Sequence, residues 1–389
     1  MAGRVALVHD FLLDVRGAER AFLAICDAWP AADVFTAVYD EEGTEGRFAA
    51  RSPNTSFLQK LRPSARTFRP LLPLYPYAIE ALDLRGYDVV ISSSSAWAHG
   101  VLPDPGAVHV CYCYNPFRYA WSEREATLAA RSLPMRLPLQ LVLSRWRQWD
   151  WIAAQRVDRY VAISRLTAAR VRRYFGREAD VLHPPVELGR FSPGDVGEHY
   201  LVVAELMAHK RIDVAVEAFN RLGLPLVVVG DGPEARRLRR LAGPTVTMAG
   251  RLGDPEVAQL MRSAKALVVT AAEEFGIAAV ESLASGRPVI ALAAGGVLES
   301  VQEGETGAFY RESDPAALTD VIAGFDPMAV DPAACVEAAQ HFGTERFQAT
   351  LRAIVDETVA AESTGDRDRP AVVTGLLPRR AARRAAARR

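Results

Sequence analysis

Lysine is nearly missing from this chain of 389 residues: it stands only at Lys60, Lys210 and Lys265, and arginine serves almost everywhere else that a cation is used. Each lysine therefore raises the question of what a compact ammonium does there that a planar guanidinium cannot. Cysteine is scarce as well. Cys26, Cys111, Cys113 and Cys335 lack zinc-site spacing, and Cys111 and Cys113 alternate along an expected strand, so they read as reduced core thiols and not as a disulfide framework or metal site. No apolar run approaches the length of a membrane span. The first one, Val5–Val8, gives way at once to His9 and Asp10, too short for a secretory signal, so a soluble cytoplasmic protein is expected. A broad basic face is absent too. The formal net charge of −1 includes six arginines (Arg379, Arg380, Arg383, Arg384, Arg388, Arg389) in the last eleven residues, so the body is mildly acidic and a nucleic-acid partner is not expected.

What the chain does have is alternation. Its length exceeds what one core normally holds, so two domains are expected. Short β-branched runs alternate with helical patterns throughout, which is the signature of parallel sheets with helices on both faces. The apolar pattern predicts strands at 4–8, 33–38, 88–93, 108–114, 160–164 and 181–184, then at 200–204, 226–230, 246–249, 266–270, 289–292 and 308–310. Between the two sets, Pro184-Pro185 through Pro193-Gly194 halts both periodicities. The expected division is therefore an α/β domain over 1–192, a second over 193–340, a final helix over 341–361 and an Arg/Ala-rich tail over 362–389 that stays disordered when free. Two doubly wound domains would face one another across a cleft that takes the ligand.

The segment Ala271–Ile290, AAEEFGIAAVESLASGRPVI, carries the most chemistry. Glu273 is placed on the loop leaving a strand and Glu281 about one turn into the next helix, so both face the space off the strand's carboxyl end. The amides of Phe275, Gly276 and Ile277 point into the same space, and Gly276 allows close approach to the main chain. Amides and helix dipole attract phosphate while carboxylates accept from hydroxyls, so a ligand with phosphates at one end and vicinal hydroxyls at the other fits. Glu281 lies on the inward stripe, where an unpaired Glu is seldom found, whereas Glu274 reads as a helix-start charge.

Other candidates surround this one. Lys210-Arg211 follows the first strand of the second domain, where cationic heads can neutralise a diphosphate. Gly230-Asp231-Gly232 matches the weak form of a dinucleotide fingerprint, but Gly250-Arg251 stands where the ribose-binding acid should be, so a nicotinamide enzyme is disfavoured and a tight turn beside the cleft is expected. Gly17-Ala18-Glu19 starts a helix that either approaches an anion or hydroxyl or is simply capped. Tyr112, Tyr114, Asn115, Arg118, Tyr119 and Trp121 form a cluster with two readings, a sugar or lipid-phosphate surface and aromatic core packing.

Taken together, the carboxylate pair, Tyr160–Arg165, His183-Pro184-Pro185-Val186 and Gly230–Pro233 resemble the retaining family 4 glycosyltransferases of the GT-B fold, nearest to bacterial mannosyltransferase-like members, over Val5 to about residue 360. The resemblance implies two Rossmann-like domains, the first binding acceptor and the second a nucleotide-sugar. By it, Glu281 binds the donor ribose, Glu273 the transferred hexose, the Phe275–Ile277 amides hexose and phosphate, Lys210 the diphosphate and the Gly250-Arg251 main chain the base. The final helix would return to the first domain. It also implies transfer with retention, without cofactor or obligatory metal, the departing phosphate taking the acceptor's proton; no carboxylate cluster suited to Mg²⁺ is found in the sequence. Three positions depart from the family pattern: Glu205 where an Arg is usual, Tyr114 where a His is common, and Arg16 before Gly17 in place of a second glycine.

The expected function is transfer of a hexose, mannose from GDP-mannose first, to a glycan or lipid-linked acceptor. The alternative is a non-catalytic nucleotide-sugar-binding partner or scaffold, disabled through Glu205 and Tyr114. An epimerase or phosphorylase on the same scaffold stands third. The arginine tail offers a salt-sensitive peripheral contact with anionic lipid, since its neighbouring alanines insert weakly.

Overall fold

The computed structural model describes residues 3–364; the arginine tail and the lipid contact expected of it lie outside the described residues. Seven strands build the first sheet: β1 (Val5–His9), β2 (Asp33–Thr36), β3 (Asn54–Thr55), β4 (Val89–Ser94), β5 (Val108–Cys113), β6 (Arg159–Ala162) and β7 (Ala179–Val181). They run parallel in the order β3-β2-β1-β4-β5-β6-β7. The second sheet, also parallel, has β8 (Tyr200–Val203), β9 (Leu226–Val229), β10 (Val246–Gly250), β11 (Leu267–Val269), β12 (Val289–Leu292) and β13 (Gly307–Tyr310), ordered β10-β9-β8-β11-β12-β13. Each sheet reverses its winding beside its first strand, between β1 and β4 and between β8 and β11. Those are the points where crevices open at strand carboxyl ends.

Burial explains why the strands read as continuous apolar runs. Both faces of β4 and β5 are covered, and Val110, Cys111 and Tyr112 are all inaccessible to solvent. The four cysteines are free and buried.

The chain crosses between domains at Val186 and returns beside it, Val186 N–H donating to the Phe342 carbonyl at 2.8 Å. The final helix, Thr344–Thr364, then packs on the first domain. Gln348 Nε2 donates to the Ala24 carbonyl, the Arg352 guanidinium to that of Ala28, and Phe347 meets Tyr112 edge-on at 5.3 Å.

Among the described residues, four α-helices have no counterpart in the sequence reading: Tyr75–Glu80, Arg124–Ala129, Leu133–Ala154 and Pro332–Gln340. Leu133–Ala154 runs for 22 residues despite Pro134 and Pro138, and Pro332–Gln340 packs against the helix Ile277–Ala284. After β12 the chain forms only a short 3₁₀ turn, Gly296–Glu299.

Candidate functional site

The site assembles at the β8/β11 switch point. After β11 the chain runs through Thr270 to Gly276, and the helix Ile277–Ala284 begins. Gly276 takes φ +90°, the left-handed conformation that a side chain disfavours, and this turns the amides toward the crevice. Among the described residues, the amides of Phe275, Gly276 and Ile277 donate no hydrogen bond to protein.

Lys210 ends the 3₁₀ turn Ala208–Lys210 after β8, and its Nζ donates to Glu273 Oε1 at 2.8 Å. Its carbonyl accepts from Thr270 Oγ1 at 2.7 Å, so the loops after β8 and β11 are tied together behind the ion pair. Arg211 is not part of this pair. Its guanidinium lies 3.4 Å from Asp213 and 3.4 Å from Ser313.

Glu281 sits half-buried one turn into the helix and makes no side-chain hydrogen bond among the described residues. Burial pushes its carboxyl above the ordinary value, and the nearby Arg190 and Arg20 only partly offset this. Those two guanidiniums turn to Asp254 instead, Arg20 through both carboxylate oxygens at 2.7 and 2.9 Å and Arg190 at 3.2 Å. An acid left without a fixed partner this way is available to hydroxyls.

The expected reading of Glu274 is overturned. It is no helix-start charge but an interdomain anchor: Oε1 lies 3.2 Å from Arg170 Nη1, 3.7 Å from Arg118 Nη2 and 3.5 Å from Asn115 Nδ2, all on the first domain. Burial alone would raise its carboxyl, but Arg118 and Arg170 hold it below the ordinary 4.5. Because the folded value is depressed, its stabilising contribution is full above pH 4.5 and is lost as pH falls through the lowered value. Calorimetry should accordingly find Glu274→Gln less stable than the parent at pH 7, with the two converging in acid.

More ion pairs span the cleft. Arg16 Nη1 meets Glu205 Oε2 at 2.8 Å, and Arg251 Nη2 meets Asp14 Oδ1 at 3.2 Å. The charge that Glu205 brings beside the site is therefore met from the opposite lobe. Gly17 opens the helix Gly17–Ala28 directly against Ile277, where a Cβ would press on the Ile277 side chain. Glu19 takes the capping role, accepting from Arg16 N–H at 2.9 Å, and Ala18 gives its carbonyl to Tyr114.

Tyr114 lies buried in the first domain, in keeping with the core-packing reading of its cluster. Its hydroxyl donates to Ala18 O at 2.8 Å and shares a hydrogen bond with Ser93 Oγ at 2.9 Å, so both capacities are engaged by protein. Tyr112 and Trp121 follow the core-packing reading, bonded to the Leu182 carbonyl and to Asp150. Gly230 and Gly232 form a turn packed on the backbone of Ala204 and Leu206, and Gly230 N–H donates to Gly250 O at 2.8 Å.

Several participants had no role assigned to them from the sequence. Gly295 and Gly296, after β12, lie so close to Glu273–Phe275 that a Cβ on either would overlap that loop's backbone, and Gly296 N–H donates to the Glu273 carbonyl at 2.8 Å. The doubled glycine after an apolar run was the available signal. His183 stacks on Phe275 at 5.2 Å and lies 3.0 Å from Glu299, which also accepts from the Arg165 amide at 2.9 Å and so caps a helix of the other domain. Asp10, fully buried, accepts from the amides of Ala96, Trp97 and Ala98 and fixes the loop after β4.

Residues 15–190 match the family described as Glycosyltransferase Family 4, and residues 195–340 the one described as Glycosyl transferases group 1. A D-inositol 3-phosphate glycosyltransferase of Mycolicibacterium vanbaalenii is 31% identical over 244 residues, 54% of this chain and 53% of that protein. The protein so named in Mycobacterium bovis is 29% identical over 204 residues, 45% of this chain and 42% of its own. The chain spans about half the length of the curated relatives it matches. Sucrose-phosphate synthase of Thermosynechococcus elongatus shares the fold at TM-score 0.72 and 18% identity, covering 92% of this chain and 100% of that one. Anabaena HepE in complex with UDP does so at TM-score 0.64 and 16% identity, covering 91% and 100%.

Proposed function

We propose that this chain, which has the GT-B fold and whose residues 15–190 and 195–340 match Glycosyltransferase Family 4 and Glycosyl transferases group 1, transfers a hexose from a nucleotide-diphosphate sugar to a glycan or lipid-linked acceptor, with retention at the anomeric carbon. Mannose from GDP-mannose is the leading donor. The observation that carries this reading is the Lys210–Glu273 ion pair at 2.8 Å beside the open amino end of the helix Ile277–Ala284.

An arriving diphosphate competes with Glu273 for the Lys210 ammonium. Phosphate oxygens then lie on Lys210 Nζ and on the free amides, where the helix dipole adds to the attraction. Glu273, released from the ammonium, accepts from a hexose hydroxyl, and Glu281 accepts from the ribose. In the transfer, the bond from the anomeric carbon to the phosphate oxygen breaks and one to the acceptor oxygen forms on the same face. The acceptor's proton passes to the departing phosphate. Charge builds on that phosphate, where fixed donors are most effective.

The competing reading, a nucleotide-sugar-binding scaffold, draws support from the engaged Tyr114 hydroxyl. Release of GDP or UDP from a panel of sugar nucleotides separates the two: binding without release in the presence of any acceptor supports the scaffold.

Glu281 gives a second, independent handle. With its folded pKa raised, the group favours the folded state below pH 4.5 and loses that contribution as pH rises through the folded value. Glu281→Gln should therefore melt higher than the parent at pH 7.5, and the gap should close below pH 4.5. The same variant should bind donor about ten-fold more weakly, the size of one charge-assisted hydrogen bond. Full turnover by Glu281→Ala would remove the ribose assignment.

A further inference from the structure

We propose that one face of the first domain docks on an anionic lipid bilayer, through the helix Leu133–Ala154 and the neighbouring segment 57–77. The helix carries apolar residues on two opposite sides. One side, including Leu143, Trp146 and Ala153, packs inward against the first domain. At 100° per residue, Leu133, Leu137, Leu141, Trp151 and Ile152 fall within an arc of about 100° on the other side. They are 75%, 65%, 62%, 50% and 57% exposed, an apolar stripe over the first turns of the helix that returns at its end, with Ser144 and Gln148 in the same arc between them. Residues 131–138 are exposed without exception, so the first two turns project from the domain.

The second segment adjoins the first. The Trp149 indole donates to Glu80 at 2.9 Å, and Phe68, Leu71, Leu72, Trp146 and Trp149 all pack on one core cluster. This segment too presents large apolar groups, Phe57, Leu61, Leu74 and Tyr77.

Charge selects the occupant. No acidic residue occurs between Glu45 and Glu80, nor between Glu125 and Asp150, in a chain whose body is mildly acidic. Lys60, Arg62, Arg66 and Arg69 in one stretch and Arg131, Arg136 and Arg145 in the other are exposed. A second copy of the chain meeting this face about a two-fold axis would set cation against cation. An anionic headgroup layer meets the cations and lets the stripe enter the acyl boundary, as interfacial helices do. No helix among the described residues is long and apolar enough to cross a membrane, so the contact is with one leaflet. The helix follows the loop bearing Asn115 and Arg118, which reach Glu274 in the cleft, so docking would bring the cleft beside the lipid surface.

Flotation of the full chain with vesicles of phosphatidylcholine alone, or with about one third phosphatidylglycerol, tests this. The expected result is binding to the anionic vesicles, weakened by salt and reduced at least ten-fold in Leu133→Ser/Leu137→Ser/Leu141→Ser. Arg131→Glu/Arg136→Glu/Arg145→Glu should remove the preference for anionic lipid. Both variants change exposed positions, and an unchanged melting temperature verifies that they fold. Equal partitioning to both vesicle types overturns the proposal. So does undiminished binding by the serine variant, loss of all binding on deleting residues 378–389 alone, or a dimer in sedimentation that the serine variant abolishes.

Discussion

Lys210→Ala lowers kcat/KM for sugar transfer by about 10²–10³-fold, the loss found when one preorganised donor to a developing oxyanion is removed. The ammonium is held by Glu273 at 2.8 Å, and its backbone by Thr270 at 2.7 Å, so little reorganisation is needed when phosphate arrives. Its removal does more than delete a donor. Glu273 is then left facing the diphosphate with no adjacent cation, and like charge opposes binding. Lys210→Arg recovers only part of the loss, because a planar fork cannot occupy the position of a compact head. Steady-state kinetics check this: a variant within three-fold of the parent contradicts the role.

Gly296→Val is expected to raise the donor Kd at least ten-fold and to cost about 1–3 kcal/mol of stability, the usual range for forcing atoms into a packed region. The added Cβ would overlap the backbone of Glu274 and Phe275, so the loop bearing Glu273 and the free amides must shift. Displacement of that loop separates Glu273 from Lys210, whose position is set from the other side by β8. Gly189→Ala is the control, since its Cβ meets nothing within 4 Å. Calorimetric titration and thermal melting should show the first variant impaired and the second like the parent.

The α/β class and every strand but the two-residue β3 and the edge strand β7, whose expected span 181–184 meets the observed one only at Val181, were legible, because strands covered on both faces announce themselves as apolar runs. Leu133–Ala154 was not. Two prolines near its start read as breakers, and its apolar residues on two sides spoil the one-sided periodicity by which a surface helix is recognised. In the site, the Glu273, Gly276 and Glu281 spacing lies within one strand-to-helix turn and could be read locally. Glu274 could not: its partners Arg118 and Arg170 lie on the other domain, and one-dimensional spacing carries no trace of them. Likewise, by sequence alone the Glu205 carboxylate is a misplaced charge, because its partner Arg16 stands 189 residues earlier in the chain. The engaged Tyr114 hydroxyl has the same origin, since the Ala18 carbonyl arrives from a different strand connection.

Calorimetric titration of GDP-mannose and its UDP and ADP counterparts into the parent chain and into Lys210→Ala addresses the central claim most directly. The expected result is saturable one-to-one binding of at least one nucleotide-sugar, weakened ten-fold or more by the substitution. Binding of that ligand with equal affinity by both chains, or heat from none of the three, would contradict the placement of a sugar diphosphate between Lys210 and the amino end of the helix Ile277–Ala284.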